Sequence, residues 1–342
     1  MKAPIRPVRY TREPHPVLAP HAPLPESEVR NAGMPLDLSW VRDVRVNRSA
    51  VERRAETLPK RRTVKKDWQV AWLLRAVTLM DLTTLQADDT PGRVRRLCAK
   101  ARTPVRRDLL QTLGAESLPI RVAAVCVYHQ MVTTAVDALR GSGIPVAAVS
   151  TGFPAGLSPL ETRLREIEAS IEAGAEEIDI VITRAHVLTA NWQALYDEVR
   201  AFRDACGAAH LKTILGTGEL GTLREVARAS LVCMMAGADF IKTSTGKEAV
   251  NATLPVGLVM ARQIREYRQR TGQEVALKPA GGIRTAKQAL DWLALVKEEL
   301  GDRWLRADRF RFGASTLLAD IERQLEYAAT GGYSAYYRHP MG

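Results

Sequence analysis

The sequence has few cysteines, no long apolar run and an N-terminus without an apolar core, and each shortage excludes a class of protein. Its four cysteines include no Cys-x-x-Cys pair, which excludes a disulfide framework and a zinc knuckle. No stretch of about 18 apolar residues occurs, so we expect no transmembrane helix and no membrane partner. The N-terminus does not resemble a secretory signal, and a cytoplasmic location is predicted.

Metal and nucleotide signatures are also missing. The six histidines show neither His-x-His nor His-x-x-x-His spacing, which metal sites favour. No Walker or dinucleotide fingerprint is present either. We therefore expect neither a metal nor an organic cofactor.

Positive charge is concentrated in the N-terminal third. Residues 1–107 hold 23 Lys and Arg against 11 Asp and Glu, a surplus of 12, whereas the remainder carries a net charge of −1. Such a surplus would suit a polyanion. No aromatic residues are interleaved with it, so we favour a solvated surface and do not expect a nucleic-acid partner.

The chain divides into four predicted parts. Residues 1–34 contain seven of the 18 prolines and no apolar periodicity, which predicts a flexible, disordered arm. Residues 35–75 are predicted to form a helical extension that packs on the main domain, with Trp68, Trp72 and Leu73 or Leu74 on one stripe. Residues 76–330 form the main domain and residues 331–342 a tail.

Within the main domain, short apolar runs alternate with longer amphipathic stretches. Eight such units over about 260 residues predict an α/β fold, a (β/α)8 TIM barrel. An open doubly wound sheet is the alternative, which we favour less because no Gly-x-Gly-x-x-Gly turn follows the first run. The predicted strands are Ala76–Met80, Ala123–Val127, Pro145–Val149, Ile178–Ile182, Leu211–Leu215, Phe240–Lys242, Val275–Lys278 and Phe310–Phe312.

Two of these runs end in a lysine followed by a turn. Lys242 precedes Thr-Ser-Thr-Gly, and Lys278 precedes Pro-Ala-Gly-Gly. In (β/α)8 barrels, active residues lie at the C-terminal ends of strands. Desolvation and a second nearby cation both favour the free amine of Lys242, which a Schiff base requires. The alternative is a lysine that extends into solvent.

Polar residues within other strands are predicted to point into the barrel. Alternation turns Asp179 inward, where it needs a cation such as Lys278, for proton transfer or as a structural ion pair. Asp81 is either another inward acid or a cap of the next turn. Lys212 is expected to pair with one of these acids, and Cys126 to be a small buried hydrophobe.

Glycine turns follow strands seven and eight, where barrels frequently bind phosphate. Backbone N–H groups of such turns and of the following helices are suitable donors. The alternative is that the glycines only make tight turns. The candidate phosphate-binding residues are Thr245, Lys247, Gly281, Gly282, Gly313 and Ser315.

Taken together, these segments resemble one family, that of deoxyribose-phosphate aldolase. The resemblance extends over about residues 36–337, and the ends of that range look like the longer animal-type branch. It is carried by Met80–Leu85, Phe240–Lys247, Lys278–Arg284 and Phe312–Ser315.

The resemblance implies a metal-independent class I aldolase that interconverts 2-deoxy-D-ribose 5-phosphate with D-glyceraldehyde 3-phosphate and acetaldehyde. Lys242 matches the Schiff-base lysine, Lys278 the second lysine and Asp179 the acid/base aspartate of the family. Asp81, Thr83, Cys126 and Lys212 are further candidates for the substrate pocket. A homo-oligomer is implied on family grounds.

The C-terminus departs from the family pattern. Many bacterial members end in a tyrosine that assists proton transfer, whereas Tyr333, Tyr336 and Tyr337 here precede five further residues. Two alternatives to this function remain. One is another Schiff-base barrel aldolase, such as a transaldolase-like enzyme, and the other is a sugar-phosphate sensor or polyanion-binding protein.

Overall fold

The sheet is all parallel and forms the centre of the molecule. The computed structural model describes residues 30–61 and 64–339. The strands are β1 (Met80–Thr83), β2 (Ala124–Tyr128), β3 (Val146–Ser150), β4 (Glu177–Val181), β5 (His210–Ile214), β6 (Phe240–Lys242), β7 (Ala276–Lys278) and β8 (Phe312–Ala314). Strands β1 to β7 each pair in parallel with their sequence neighbours, and β8 pairs in parallel with β1.

Two bridges between β7 and the segment around β8 close the sheet into a barrel. Leu277 pairs with Phe310, and Ala280 pairs with Gly313. Together with the β1–β8 pairing, they leave no open edge in the described sheet. The predicted (β/α)8 barrel is confirmed, and the open doubly wound sheet is excluded.

Helices surround the barrel. Several begin at a threonine whose side chain accepts a backbone N–H, as Thr222 and Thr285 do, and this cap marks the end of each preceding loop. The helices are α1 (Leu38–Asp43), α2 (Arg48–Arg61), α3 (Lys66–Thr78), α4 (Pro91–Arg102), α5 (Arg107–Thr112), α6 (Val132–Leu139), α7 (Leu160–Glu172), α8 (Arg184–Leu188), α9 (Trp192–Cys206), α10 (Leu223–Met235), α11 (Leu254–Thr271), α12 (Ala286–Leu300) and α13 (Leu317–Thr330).

The first three helices lie against the outside of the barrel's helical layer. Arg54 of α2 forms ion pairs with Glu298 and Glu299 of α12, at 2.5 and 3.3 Å. The stripe predicted within the helical extension is wrong in part, because Trp72 is buried whereas Trp68 is 53% exposed. The division of the chain into four parts stays a prediction, and most of the arm, residues 1–29, lies outside the described residues.

The predicted first strand is wrong in its position. Helix α3 continues to Thr78, and β1 begins only at Met80. Ala76 and Val77 near the end of α3 and Met80 at the start of β1 are all buried, so the apolar run carries no periodicity that separates the two elements. The eighth strand also begins two residues later than predicted, at Phe312.

Alternation along the strands separates two environments. The outward side chains, among them Ile178 and Ile180 of β4, belong to the apolar core between sheet and helices. The inward side chains include the charged residues described below. None of the described helices is both long and apolar enough to cross a membrane.

Candidate active site

Two lysines lie side by side at the C-terminal end of the barrel. Lys242 is the last residue of β6 and Lys278 the last residue of β7, and the two are register partners. Both side chains point inward; Lys242 is 3% exposed and Lys278 is fully buried. Parallel strands that end together therefore bring two amines to the same level of the barrel.

One carboxylate oxygen connects the two amines. Asp179 Oδ2, from β4, lies 2.7 Å from Lys242 Nζ and 2.7 Å from Lys278 Nζ. The other oxygen, Oδ1, lies 3.3 Å from Lys212 Nζ, without the geometry of a hydrogen bond. Asp179 Oδ1 therefore keeps acceptor capacity beside the two amines.

A second layer of charge lies beneath this one. Lys212 Nζ is 2.9 Å from Asp81 Oδ2 and 2.5 Å from Glu177 Oε2. Arg311 contacts the same two carboxylates, with Nη1 2.5 Å from Asp81 Oδ1 and Nη2 3.0 Å from Glu177 Oε1. Asp81 also forms an ion pair with Lys278, so the two layers are one continuous network.

The two lysines of the upper layer have opposite pKa shifts. Burial lowers the pKa of Lys242, the nearby Lys278 lowers it further, and Asp179 only partly compensates. Burial also opposes the charge on Lys278, but Asp179 and Asp81 outweigh it and raise the pKa of this lysine. The two environments therefore favour the free amine at Lys242 and the protonated form at Lys278.

The carboxylates of the network remain ionised. Burial opposes the charge of Asp179, but Lys212, Lys242 and Lys278 together hold its pKa well below the usual range. The pKa of Asp81 is likewise far below its usual range, because Lys212, Lys278 and Arg311 overcome its burial. An ionised Asp179 between two amines can accept a proton from one and stabilise the charge of the other.

One wall beside the lysines is small and apolar. Cys126 of β2 packs with Leu85, Ala147 and Val149 in a separate cluster inside the barrel. Burial raises the pKa of the Cys126 thiol, which therefore stays protonated and uncharged. Thr83, at the end of β1, donates its hydroxyl to the Asp81 carbonyl at 2.8 Å.

The glycine turns after β6 and β7 lie close to each other and to Gly313, which lies within β8 and not in the predicted turn after it. A Cβ on Gly246 would be 3.9 Å from Gly281 Cα, and one on Gly313 would be 2.8 Å from Ala280 Cβ. Gly281 and Gly282 have φ values of 80° and 82°, which L-residues with side chains rarely adopt. Beyond these turns, Ser315 is exposed just before α13.

A buried carboxylate occupies the turn after β6. Glu248 accepts the Thr245 N–H at 3.0 Å, the Thr245 hydroxyl at 2.7 Å and the Gly246 N–H at 3.1 Å. Those donors are therefore engaged within the protein. The exposed Lys247 is the cation that this turn presents to solvent. The phosphate-binding roles of Thr245 and Lys247 stay predictions.

Comparison with known proteins agrees with this geometry. The model of the DeoC/LacD family aldolases matches residues 75–323. The chain belongs to this aldolase family. The predicted resemblance to the family is confirmed, and with it the prediction that the chain is an aldolase.

Individual relatives cover most of the chain. Human deoxyribose-phosphate aldolase is 60% identical over 91% of this chain and 98% of its own length, and the mouse protein of the same name is 61% identical over 90% and 98%. A solved structure from Toxoplasma gondii ME49 covers 79% of this chain and 98% of its own, with a TM-score of 0.66 and 21% identity. The similarity to this solved structure is a similarity of fold.

Sequence reasoning missed two charged members of the aldolase network, Glu177 and Arg311. Glu177 could have been found, because it lies two residues before Asp179 and so shares its face of β4. The sequence did predict that the other members, Asp81, Asp179 and Lys212, lie together inside the barrel. Their catalytic roles stay predictions.

Tyr333 and Tyr337 lie away from this network. Tyr333 stacks on Tyr327 of α13 with ring centroids 4.4 Å apart, and Tyr337 is 82% exposed. His339 is buried beside Glu322 and Glu326 of the same helix. The described part of the tail therefore runs along the outside of α13.

No group of three or more histidine, cysteine or acidic side chains suited to a metal ion occurs in the described part of the chain.

Proposed function

We propose that this protein is a deoxyribose-phosphate aldolase, which reversibly cleaves 2-deoxy-D-ribose 5-phosphate into D-glyceraldehyde 3-phosphate and acetaldehyde. The reaction would proceed through a Schiff base on Lys242. The observation that carries the proposal is the amine of Lys242, whose pKa is lowered and which shares one carboxylate oxygen with the protonated Lys278. The curated relatives with this name supply the substrate.

Covalent bond formation begins at the substrate aldehyde. The free amine of Lys242 attacks C1 of the open-chain sugar and gives a carbinolamine, whose hydroxyl group takes up a proton and leaves as water. Lys278 is the nearest acid for that proton, and Asp179 can pass to it, across 2.7 Å, the proton that the attacking nitrogen loses. The product is a protonated imine on Lys242.

The imine then accepts the electrons of the bond that breaks. The C3 hydroxyl gives its proton to a base at Asp179, directly or through a water, and the C2–C3 electron pair moves toward the imine nitrogen. D-Glyceraldehyde 3-phosphate leaves, and an enamine of two carbons remains on Lys242. Protonation of this enamine at C2 and addition of water release acetaldehyde and the amine.

The phosphate fixes the position of the sugar. The turns after β7 and β8 and the N-terminus of α13 offer backbone N–H groups on the side where Lys247 is exposed. Anchoring the phosphate end of the open-chain sugar there places its C1 near Lys242. Such positioning lowers the entropic part of the activation barrier. Gly282 and Ser315 are the proposed ligands because both lie open to solvent.

Borohydride trapping tests the proposal directly. The protein is incubated with deoxyribose 5-phosphate, reduced, digested and analysed by mass spectrometry, with the Lys242→Leu variant as the matched control. We expect an adduct on Lys242 in the wild type, and neither adduct nor turnover in the variant. An adduct on Lys278 would reverse the two lysine roles, whereas folded wild-type protein without any adduct would refute the proposal.

A second assay separates this activity from that of a transaldolase-like enzyme. Turnover is measured with acetaldehyde and D-glyceraldehyde 3-phosphate, and with a ketose phosphate donor in place of acetaldehyde. We expect condensation only with acetaldehyde. A homo-oligomeric assembly and a cytoplasmic location stay predictions.

A further inference from the structure

An ion pair lies at the end of the charge network that is farthest from the reactive lysines. Glu177 is the first residue of β4, and Arg311 immediately precedes β8, so both belong to the N-terminal half of the barrel. They are 2% and 5% exposed, and their charged atoms lie 3.0 Å apart. Neither reaches the mouth where the substrate would enter.

Short contacts connect this pair to Lys242 along two routes. On one route Glu177 contacts Lys212 at 2.5 Å, and Lys212 lies 3.3 Å from Asp179, the partner of Lys242. On the other, Arg311 contacts Asp81 at 2.5 Å, and Asp81 pairs with Lys278. The pair is therefore part of the electrostatic environment of the reactive amine.

The charges of the network balance only if one amine is neutral. Three carboxylates face four side chains that can carry a positive charge, and an uncompensated charge in a dry interior costs folding free energy. The carboxylates are those of Asp81, Glu177 and Asp179, and the basic side chains are Lys212, Lys242, Lys278 and Arg311. Lys212 contacts three carboxylates, Lys278 and Arg311 contact two each, and Lys242 contacts one.

We propose that the Glu177–Arg311 pair is a positioning element, which keeps the Lys242 amine unprotonated by completing the charge balance of the barrel interior. The inference rests on the proposed function, because it concerns the amine that forms the Schiff base. Without Arg311 the remaining cations would be one short of the carboxylates, and Lys242 would keep its proton. Without Glu177 the interior would hold an excess of positive charge, and Lys242 would lose its proton more readily.

The other titratable groups nearby add no charge near neutral pH. Burial raises the pKa of the Cys126 thiol on β2, which stays protonated. Burial lowers the pKa of His210 on β5, and the charges of Glu177 and Asp239 offset this decrease only in part, so the ring stays neutral. The charge state of Lys242 is therefore set by Asp81, Glu177, Asp179, Lys212, Lys278 and Arg311.

Two single variants give shifts of opposite sign. The acid limb of the kcat/KM profile reports the pKa of the free enzyme's essential base. We expect Arg311→Met to move this limb to higher pH and Glu177→Gln to move it to lower pH. One unit charge removed from roughly 10 Å away, at an effective dielectric of about 20, shifts a pKa by about one unit.

The double variant is the matched control. Glu177→Gln with Arg311→Met removes one charge of each sign, so its acid limb should return to within a few tenths of a pH unit of the wild type. Ionisation of the substrate is common to all four enzymes and does not affect the comparison. A role in folding alone would lower activity at every pH and would not produce opposite shifts.

A cavity beneath the barrel allows a chemical rescue. Its volume is about 800 Å³, and Glu177, His210 and Arg311 are among its lining residues. In Arg311→Ala, added guanidinium at millimolar concentration should enter this cavity and restore the wild-type acid limb. Urea, which has nearly the same shape without the charge, should leave the shifted limb unchanged, as should an equal concentration of sodium chloride.

The outcomes separate this inference from the proposed function. Shifts of the same sign, or no shift in folded variants, would overturn the role of the pair while a borohydride adduct on Lys242 still forms. Absence of the adduct in the wild type would instead refute the Schiff base itself. If Arg311→Met does not fold, Glu177→Gln and the double variant still decide the question, because only charge balance predicts that their acid limbs differ.

Discussion

Replacing either lysine of the upper layer by methionine should change stability in opposite directions. Lys242→Met removes an amine that folding forces to give up its proton, since burial and Lys278 lower its pKa. Lys278→Met removes a cation whose pKa is raised by Asp179 and Asp81 despite burial. We therefore expect the first variant to be more stable than the wild type at pH 7 and the second to be less stable.

The expected magnitudes follow from linkage. Each pKa unit by which folding disfavours a protonated amine costs about 1.4 kcal/mol, and the cost at pH 7 cannot exceed about 4.6 kcal/mol for an unfolded pKa of about 10.4. Loss of the contact with Asp179 offsets about 1.5–3 kcal/mol, so Lys242→Met should be more stable by at most about 1.5–3 kcal/mol. Breaking the buried pairs of Lys278 should cost about 3–5 kcal/mol.

The sign of each lysine's contribution to stability can also be followed by varying the pH. The unfolded chain keeps the Lys242 proton up to about pH 10.4, whereas the folded protein releases it earlier, so wild-type stability rises with pH across that window by up to about 1.4 kcal/mol per unit. Lys242→Met should lack this slope. Lys278 behaves in the opposite way: its contribution is complete below about pH 10.4 and is lost as pH rises through its folded pKa.

Urea unfolding of the three proteins at several pH values measures these differences, with an unchanged m-value as the check that only stability has changed. Destabilisation of Lys242→Met by as much as Lys278→Met would refute the reasoning, because it would mean that Lys242 is an ordinary charged partner of Asp179. The same conclusion would follow if the stability difference between wild type and Lys242→Met did not depend on pH.

Three further predictions concern catalysis and substrate binding. Asp179→Asn should lower kcat by about 10²–10⁴-fold, with little change in the Kd of an unreactive sugar phosphate, and an equal loss in both would indicate a structural role. Ser315→Ala and Lys247→Met should raise KM for deoxyribose 5-phosphate several-fold but not for deoxyribose, and the reverse pattern would remove them from the phosphate site. Glu248→Gln, which weakens the acceptor of the Thr245 and Gly246 donors, should raise KM for the phosphorylated sugar more than it lowers kcat, whereas unchanged kinetics would show that the turn does not depend on this carboxylate.

Strand ends marked by turn residues were predictable from the sequence. β6 has the predicted bounds because Gly237 precedes it and the Thr-Ser-Thr-Gly turn follows Lys242. β1 was misplaced because the buried end of α3 runs directly into it without a polar or glycine residue between. Periodicity identifies an element only where one of its faces is polar.

The upper layer of the site was more predictable than the lower one. Lys242, Lys278 and Asp179 lie at or near strand ends, where a barrel is expected to place reactive residues. Arg311 lies just before β8, and only the closed barrel shows that its guanidinium meets Glu177 and Asp81. Likewise, Glu248 could not be assigned to its turn, because its role depends on the loop's backbone geometry.

The network explains why the reactive lysine is not simply placed in an apolar pocket. Burial alone would lower the pKa of Lys242, but it would equally lower that of any neighbour able to donate a proton. Asp81 and Asp179 keep Lys278 charged, and the contact of both lysines with one oxygen of Asp179 keeps acid and nucleophile within reach of each other. Groups whose environments push their pKa values apart can act as base and acid at the same pH. An interior that balances three carboxylates against three fixed cations therefore favours an acid and a free amine side by side, which the proposed imine formation and cleavage require in turn.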